Sequence, residues 1–320
     1  MFSLLKRKAK KQGLVGVSLN SDGVAVARIV RDETNIPKLD ICHYLSIEDA
    51  ENISVKLNQF VSDQDLEQSR CTCVMGTHSH SLLLIEAPDV QPAELKAAIR
   101  WRIKDLIDFH IDDAVIDVFE IPEQGAAPGR ARLMYAVAAR ASNIHANISK
   151  LDKTTLELDT IDIPELAIRN ITCLLDDDIR GVAFLYLSAD SGLITLTRQG
   201  ALFLSRDIDV GLKKMQPSTA MDSLHPETEQ SLEKIVLEVQ RSLDYYESHF
   251  SQPPISSLVI APMEQEVAGV LPYLSANLGI AVSMLNLDDL LESDESISTE
   301  SQIKCLLAIG AALRHEQKVL

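Results

Sequence analysis

The sequence GVAFLYLSADSGLITLTRQGALFLSRDIDVG, residues 181–211, predicts a meander of three strands. Residues 182–187 form a fully apolar run of the length that a buried central strand needs. The polar turn after it ends at Gly192, where glycine can adopt the positive φ of a tight hairpin. A second apolar run, a turn at residues 198–200 and a third strand complete the meander.

A similar hairpin is expected near the N-terminus, in LVGVSLNSDGVAVARIV, residues 14–30. Two such hairpins about 170 residues apart indicate a duplicated α/β fold with two lobes, because repeats this far apart mark whole domains. A chance likeness between two hairpins is the alternative. At 320 residues the chain is long enough for two domains, each with its own core.

Composition restricts the classes of function. An apolar content of 46% and a net charge of −17 indicate a globular protein without the basic face that nucleic-acid binding requires. The five cysteines are scattered and odd in number, which argues against a disulfide framework and favours the cytoplasm. No stretch approaches the ~20 apolar residues of a membrane-spanning helix, and no apolar segment follows the basic N-terminus as in a signal peptide.

The N-terminal tail, residues 1–12, runs against the overall charge. An apolar tip at its start precedes five cations between Phe2 and Lys11. Such a segment can make a peripheral contact with an anionic membrane surface, where each cation contributes about 1 kcal/mol. A solubilising tail is the alternative.

Residues 81–158 predict a compact α/β module with the order strand, helix, strand, strand, helix. Its first helix is expected over residues 91–108, where Leu95, Ile99 and Ile103 recur at helical spacing. Trp101 lies off that row, so it is either a core residue or an anchor for a partner.

Two short pairs of metal-ligand residues are also present. Cys71 and Cys73 lie on a predicted strand, and His78 and His80 lie at the end of one. Neither pair has a further ligand nearby in sequence, so buried thiols and packing or surface histidines are expected instead of a metal site.

Four motifs in order along the chain carry a resemblance to a known family. They are ELKAAIRWRIKDLIDFHIDDAVIDVFEI (94–121), LFLSRDIDVG (202–211), EVQRSLDYYESHF (238–250) and IGAALR (309–314). With them the chain resembles the PilM family of type IV pilus assembly proteins, and most of all its MshI-type members from mannose-sensitive haemagglutinin (MSHA) pilus systems.

The resemblance implies an actin-like ATPase (ribonuclease H-like) fold. Residues 13–80 and 159–180 would form the first lobe, residues 81–158 an inserted module, and residues 181–320 the second lobe. Families with this fold hold ATP between the lobes, where glycines in two hairpins let backbone N–H groups approach the phosphates.

This chain departs from the family pattern at all three nucleotide elements. The hairpin and adenosine-turn positions are occupied by Ser18, Asn20, Ser21, Asp22, Tyr186, Ser188, Asp190, Ala261 and Pro262. Proline has no N–H and fixes φ, so residues 261–262 cannot form the glycine turn of the family. We therefore expect no cofactor and no catalysis. The alternative is that Asp22 and Asp190 replace the missing aspartates and hold ATP and Mg²⁺.

By resemblance the chain would be a cytoplasmic scaffold, peripheral on the inner membrane through a PilN-like protein whose N-terminal tail it binds. A pilus assembly ATPase complex is a further expected partner. The candidate residues for the tail-binding groove are Trp101, Ile103, Lys104 and Ile107. The alternatives are an ATP-dependent switch and the cytoplasmic part of a type II secretion protein of the GspL kind, in which a membrane helix follows the actin-like part.

Overall fold

The structure is a computed structural model that describes residues 13–20, 22–31, 35–47, 53–122, 132–215, 226–263 and 269–315. The predicted basic tail and Ser21 lie outside these residues. The strands are β1 (Leu14–Leu19), β2 (Gly23–Arg31), β3 (Pro37–Ser46), β4 (Arg70–Val74), β5 (His80–Glu86), β6 (Ala114–Glu120), β7 (Leu133–Arg140), β8 (Glu157–Asp162), β9 (Val182–Leu187), β10 (Gly192–Arg198), β11 (Ala201–Ile208), β12 (Ser257–Ile260), β13 (Ala281–Met284) and β14 (Glu292–Ser293). The helices are α1 (Ile53–Asp63), α2 (Leu95–Ile103), α3 (Ala141–Leu151), α4 (Pro164–Thr172), α5 (Pro226–Phe250), α6 (Val270–Leu278) and α7 (Thr299–Ala312).

Two of the three sheets repeat one strand order. The first sheet is β14-β3-β2-β1-β4-β8, and the second is β11-β10-β9-β12-β13. The central strand of each, β1 or β9, pairs antiparallel with the following strand of its hairpin and parallel with a strand from farther along the chain. The predicted duplication is therefore present in the strand order of both sheets.

Helices α4 and α7 lie between these sheets. They belong to the central apolar cluster, which includes Ala27 of β2 and Phe184 of β9. The helices cross closely at Gly310, where an added Cβ would stand 2.3 Å from the carbonyl oxygen of Ala167. The amide of Asn170 donates to the Gly310 carbonyl at 2.8 Å and satisfies it inside the core.

The C-terminal elements pack on the first sheet. Helix α7 contacts β1, β2 and β3, and β14 pairs in parallel with β3. Gly16 of β1 permits the close contact, because an added Cβ would lie 1.9 Å from the Ala308 carbonyl oxygen. Residues 292–312, placed in the second lobe by sequence, thus complete the layer of the first sheet.

The third sheet, β5-β7-β6, belongs to the predicted module and is antiparallel throughout. One face carries Ile85, Met134 and Ala136 and packs with α2. The other face carries Tyr135, which lies in the core of the second sheet and donates its hydroxyl to the Phe203 carbonyl at 3.2 Å. The module is thus held on both faces.

Three local expectations differ from the structure. Helix α2 ends at Ile103 rather than near residue 108, because Ile107 and Phe109 turn back to pack on the module core. Strand β8 occupies residues for which no strand was predicted and extends the first sheet beside β4. Gly192 has no positive φ: it lies within β10, where a Cβ would stand 2.7 Å from side-chain carbons of Leu187 and Ile208. Within the described ranges, no helix has the length and apolarity to cross a membrane.

Candidate nucleotide cleft and partner-binding helix

The first predicted nucleotide element is the hairpin between β1 and β2. Ser18 is buried within β1, paired with Ala25 and Val74 in the neighbouring strands. The Asn20 amide donates to the Gly23 carbonyl at 2.8 Å, and the Asp22 carbonyl accepts from a backbone amide at 2.9 Å. The Asn20 amide of this hairpin is thus engaged within the protein itself.

The second element is the loop between β9 and β10. The Ser188 hydroxyl donates to the Ser191 carbonyl at 2.9 Å, and the Ser191 amide donates back to it at 3.2 Å. The segment after β11 packs directly on this loop: Leu212 and Lys213 donate their amides to the Ser188 and Ala189 carbonyls at 2.9 Å each. The loop is therefore closed and covered by the chain.

The side chains around this loop are also engaged. Asp190 pairs with Lys213 at 2.9 Å, and both side chains are exposed. Tyr186 faces the central apolar cluster, and burial raises the pKa of its hydroxyl. An aspartate at that position would bring a charge into the cluster, where desolvation opposes it.

The third element follows β12. The Ala261 amide donates to the Leu185 carbonyl at 2.8 Å, and its side chain lies in the central apolar cluster. Pro262 is buried and has no N–H to offer. Residues 261–262 therefore extend the packing of the second sheet and present no free amide.

Two histidines join the first half of the chain to the second. His78 Nε2 lies 2.9 Å from the Ser191 hydroxyl of the covered loop. His80 is buried, and its Nε2 lies 3.0 and 3.1 Å from the carboxylate oxygens of Glu165 at the start of α4. The predicted packing role thus fits His80, whereas no sequence pattern indicated its acidic partner 85 residues away.

The charged groups around His80 determine the direction in which its pKa is shifted. Burial acts to lower the pKa of His80, but the hydrogen bond and charge of Glu165, with the charge of Asp207, raise it above its ordinary value. Burial, followed by the charge of Glu165, also raises the pKa of Asp207. This acidic pocket disfavours a phosphate, which would add negative charge beside buried carboxyl groups.

The candidate partner residues divide between an exposed side and a core-facing side of α2 and the turn after it. Trp101 is 72% exposed. This exposure is unusual, because an indole ring gains a large hydrophobic stabilisation when it is buried. The Lys104 ammonium lies 5.4 Å from the centre of the indole ring, within the range of a cation–π contact. Leu106, 58% exposed, lies in the turn that follows the helix. Sequence reasoning did not choose Leu106 for the site.

Ile103 was predicted to contribute to the groove and cannot do so directly. Its side chain is fully buried in the module core, as is that of Ile99. Ile107 is half-buried and packs against the same cluster. The helical spacing that singled out Ile103 marks the core-facing side of α2, and the exposed side is that of Trp101 and Lys104.

The predicted absence of a metal site stays a prediction. Among the residues that the structure describes, no group of three or more His, Cys, Asp or Glu side chains is placed to hold an ion. Cys71 and Cys73 are both buried on β4, and burial raises the pKa of each thiol.

Comparison with known proteins supports one conclusion. No protein-family model and no curated protein matches the chain. Among solved structures, it is similar to a chain of the PilM–PilN type IV pilus biogenesis complex, with a TM-score of 0.74 and 16% identity over 95% of this chain and 98% of that one. It is also similar to a protein from Bacteroides thetaiotaomicron with an actin-like ATPase fold and unknown function, with a TM-score of 0.50 and 8% identity over 96% and 98% of the two chains.

The chain has the actin-like ATPase fold. This agrees with the fold predicted from the motifs, and identities this low establish the fold alone. Within the actin-like fold, the three nucleotide elements follow the carboxyl ends of β1, β9 and β12. Ligands bind at such ends in open α/β sheets, so the predicted elements lie at the end of the sheets where a ligand would be expected.

Proposed function

We propose that this protein is a non-catalytic scaffold in the assembly of a type IV pilus of the MSHA type, with the role of MshI. It binds the N-terminal cytoplasmic tail of a PilN-like inner-membrane protein. The observation that carries this proposal is the likeness, over 95% of the chain, to a structure of PilM with PilN. The protein would lie in the cytoplasm, held at the inner membrane through this partner, and would connect it to the pilus assembly ATPase complex.

The partner would bind across the exposed side of α2. Trp101 presents an apolar ring that is 72% exposed, and Lys104 sets a positive charge over it. An extended or helical peptide with an apolar anchor and an acidic residue would match this pair, and apolar docking of short peptides is a recognised mode. Trp is also one of the residue types enriched at interface hot spots.

The contacts of the nucleotide elements support a role without catalysis. The loop after β9 is closed by Ser188 and covered by residues 211–213, and Pro262 stands at the adenosine turn. The alternative is a switch in pilus or type II secretion assembly that uses ATP and Mg²⁺. That switch would need Asp190 to leave Lys213 and the covering segment to move.

The test is the affinity of the full-length protein for a synthetic peptide of the partner's cytoplasmic tail. Trp101 is the single tryptophan, so its fluorescence reports the site directly and should shift to shorter wavelength as the peptide removes water. Trp101→Ala should weaken binding, measured by calorimetry, by about 2 kcal/mol or more, which is the cost typical of a hot spot.

Two control variants separate the surface from the fold. Leu237→Ala removes another exposed apolar side chain, 45% exposed on α5, and should leave the affinity unchanged. Ile103→Ala should destabilise the module by about 2–5 kcal/mol, because it opens a cavity in the core. Equal peptide affinity in Trp101→Ala and the wild type would show that the partner binds elsewhere.

A further inference from the structure

A cavity of about 350 Å³ lies at the edge of the first sheet opposite to the nucleotide elements. It is bounded by the start of β1, the end of β2, the start of β4, the middle of β8 and the residues after α7. Its lining includes Gly13, Arg31, Arg70, Thr72, Asp159 and Arg314. Three guanidinium groups thus converge on one cavity of a chain whose net charge is −17.

In the described part of the chain, two of these three guanidinium groups pair with a carboxylate. Arg70 pairs with Asp159 at 2.5 Å, and Arg314 pairs with the buried Asp162 at 2.5 Å. Arg31 donates to the Leu313 carbonyl at 3.0 Å, and no ion pair joins it to a carboxylate among the described residues. Among the described residues, Arg31 is therefore the one guanidinium of the three with no ion pair to a carboxylate.

A second, independent observation is a buried hydroxyl group without a partner in the lining of the same cavity. Thr72 is 1% exposed and lines the cavity, and its hydroxyl has no hydrogen-bond partner. A buried hydroxyl without a partner costs about 1–3 kcal/mol, so a group that accepts from it or donates to it would recover that cost. An oxyanion between Arg31 and Thr72 would satisfy both the charge and the hydroxyl.

We propose that this cavity binds a phosphate group, held by the guanidinium of Arg31 and the hydroxyl of Thr72. Arginine matches the geometry of phosphate oxygens through paired N–H donors. The phosphate belongs either to an anionic lipid headgroup or to a small soluble molecule, and the same contacts serve both.

The first measurement is calorimetric titration of the full-length protein with sodium phosphate, at an ionic strength matched with sodium chloride. We expect a dissociation constant of about 1 mM or tighter. Arg31→Gln should weaken it at least about tenfold, because a charge-assisted hydrogen bond is lost. Absence of phosphate binding, or equal affinity in Arg31→Gln, would overturn the proposal.

Arg132→Gln is the matched control. It removes the same charge from an exposed side chain, 67% exposed and paired with Glu120 on the third sheet. Its phosphate affinity should stay within about twofold of wild type, since an exposed pair has little effect away from its own site. An equal loss in Arg31→Gln and Arg132→Gln would mean that net charge alone is responsible, which also overturns the proposal.

Thr72→Val decides the question if Arg31→Gln does not fold. The substitution keeps the shape and removes the unpartnered hydroxyl, so the melting midpoint without phosphate should stay equal or rise. Its phosphate affinity should fall by about fivefold or more, as for the loss of one hydrogen bond. A midpoint that rises with phosphate affinity unchanged would mean that the hydroxyl is merely unsatisfied, and the proposal would fail.

Co-sedimentation with vesicles distinguishes the two sources of phosphate. Binding to phosphatidylcholine–phosphatidylglycerol vesicles that Arg31→Gln abolishes, with none to phosphatidylcholine alone, identifies a lipid headgroup. If Arg31→Gln weakens phosphate binding but does not change vesicle binding, the ligand is a soluble molecule. The cavity shares no lining residue with the partner surface, so the two proposals can be tested separately. Trp101→Ala should leave phosphate affinity unchanged, and Arg31→Gln should leave peptide affinity unchanged.

Discussion

Strands β1 and β9 occupy the same place in the two sheets, yet they meet the helices between the sheets in opposite ways. By the alignment that sets Ser18 against Tyr186, Gly16 of β1 corresponds to Phe184 of β9. At Gly16 the backbone of α7 lies against the strand, whereas Phe184 fills the corresponding place with a buried ring. The two sheets share their strand order but differ in how the central strand packs against the helices. Each central strand should therefore tolerate a different set of substitutions.

The largest effect is expected from Phe184→Ala. The ring is fully buried in the cluster that also contains Ala167 and Ile168 of α4, so its loss leaves a cavity between the sheets. The free energy of unfolding should fall by about 3–5 kcal/mol, as measured by urea denaturation. A loss below about 1 kcal/mol would show that the second sheet can collapse onto α4.

Gly16→Ala should have the next largest effect, for the opposite reason. The new methyl group would overlap the Ala308 carbonyl, and backbone cannot move as a flexible side chain does. We expect a loss of about 3 kcal/mol, at the upper end of the usual cost of overpacking. Gly76→Ala is the control, because its nearest neighbour is the Ser79 hydroxyl at 3.1 Å, and it should change stability little.

His80 provides a pH-dependent test of the contact between the two halves. Its pKa is raised in the folded protein, so the stability that it contributes is fully present below its unfolded value near 6.5 and is lost as the pH rises through the folded pKa. His80→Gln should therefore cost about 2 kcal/mol at pH 6, the value of a hydrogen bond between charged groups, and less at pH 9. Thermal melts at both pH values check this.

His145→Gln on the exposed surface of α3 is the matched control for His80→Gln and should show no such dependence on pH. A cost of His80→Gln that is equal at pH 6 and pH 9 would mean that Glu165 binds a neutral imidazole and that the charge plays no part.

The smallest effect is expected at the two hairpins that were predicted to hold a nucleotide. A thermal melt with millimolar Mg-ATP should give the same midpoint as one without it, because residues 211–213 cover the second loop. A ligand at about 100 times its dissociation constant would add about 2.7 kcal/mol, enough to move the midpoint of a chain of this size by several degrees. A rise specific to ATP over other nucleotides would favour the switch.

The elements that local pattern specifies were predictable. Strands β1, β2 and β9 to β11 follow apolar runs between turns, and α5 follows a long apolar stripe. Strand β8 was missed because four of its six residues are charged or polar and its partner strand β4 lies far away in sequence. The exposure of Trp101 could not be predicted from the sequence either. Helical spacing shows which residues share a face of a helix, but it does not show which face packs against the core.

The candidate site was predictable only where residue chemistry decides it. The missing N–H of Pro262 follows from the residue type alone. The closure of the second loop by Ser188 and the contact between His78 and Ser191 depend on segments brought together by the fold. Ile103 shows the same limit, because an apolar residue on a helix fits a groove and a core equally well before the packing is known.

The packing of α7 on β1 also fixes an order of events during synthesis. Residues 299–312 leave the ribosome long after residues 14–46, yet they cover the apolar face of the sheet that those early residues form. During synthesis, Ala25 and Ala27 of the first sheet therefore stay uncovered until α7 has been made. The second sheet can assemble earlier, because all its strands precede α7 in the sequence. Premature termination before residue 299 would thus damage the half of the molecule made first, and the exposed sheet would be the segment that chaperones protect.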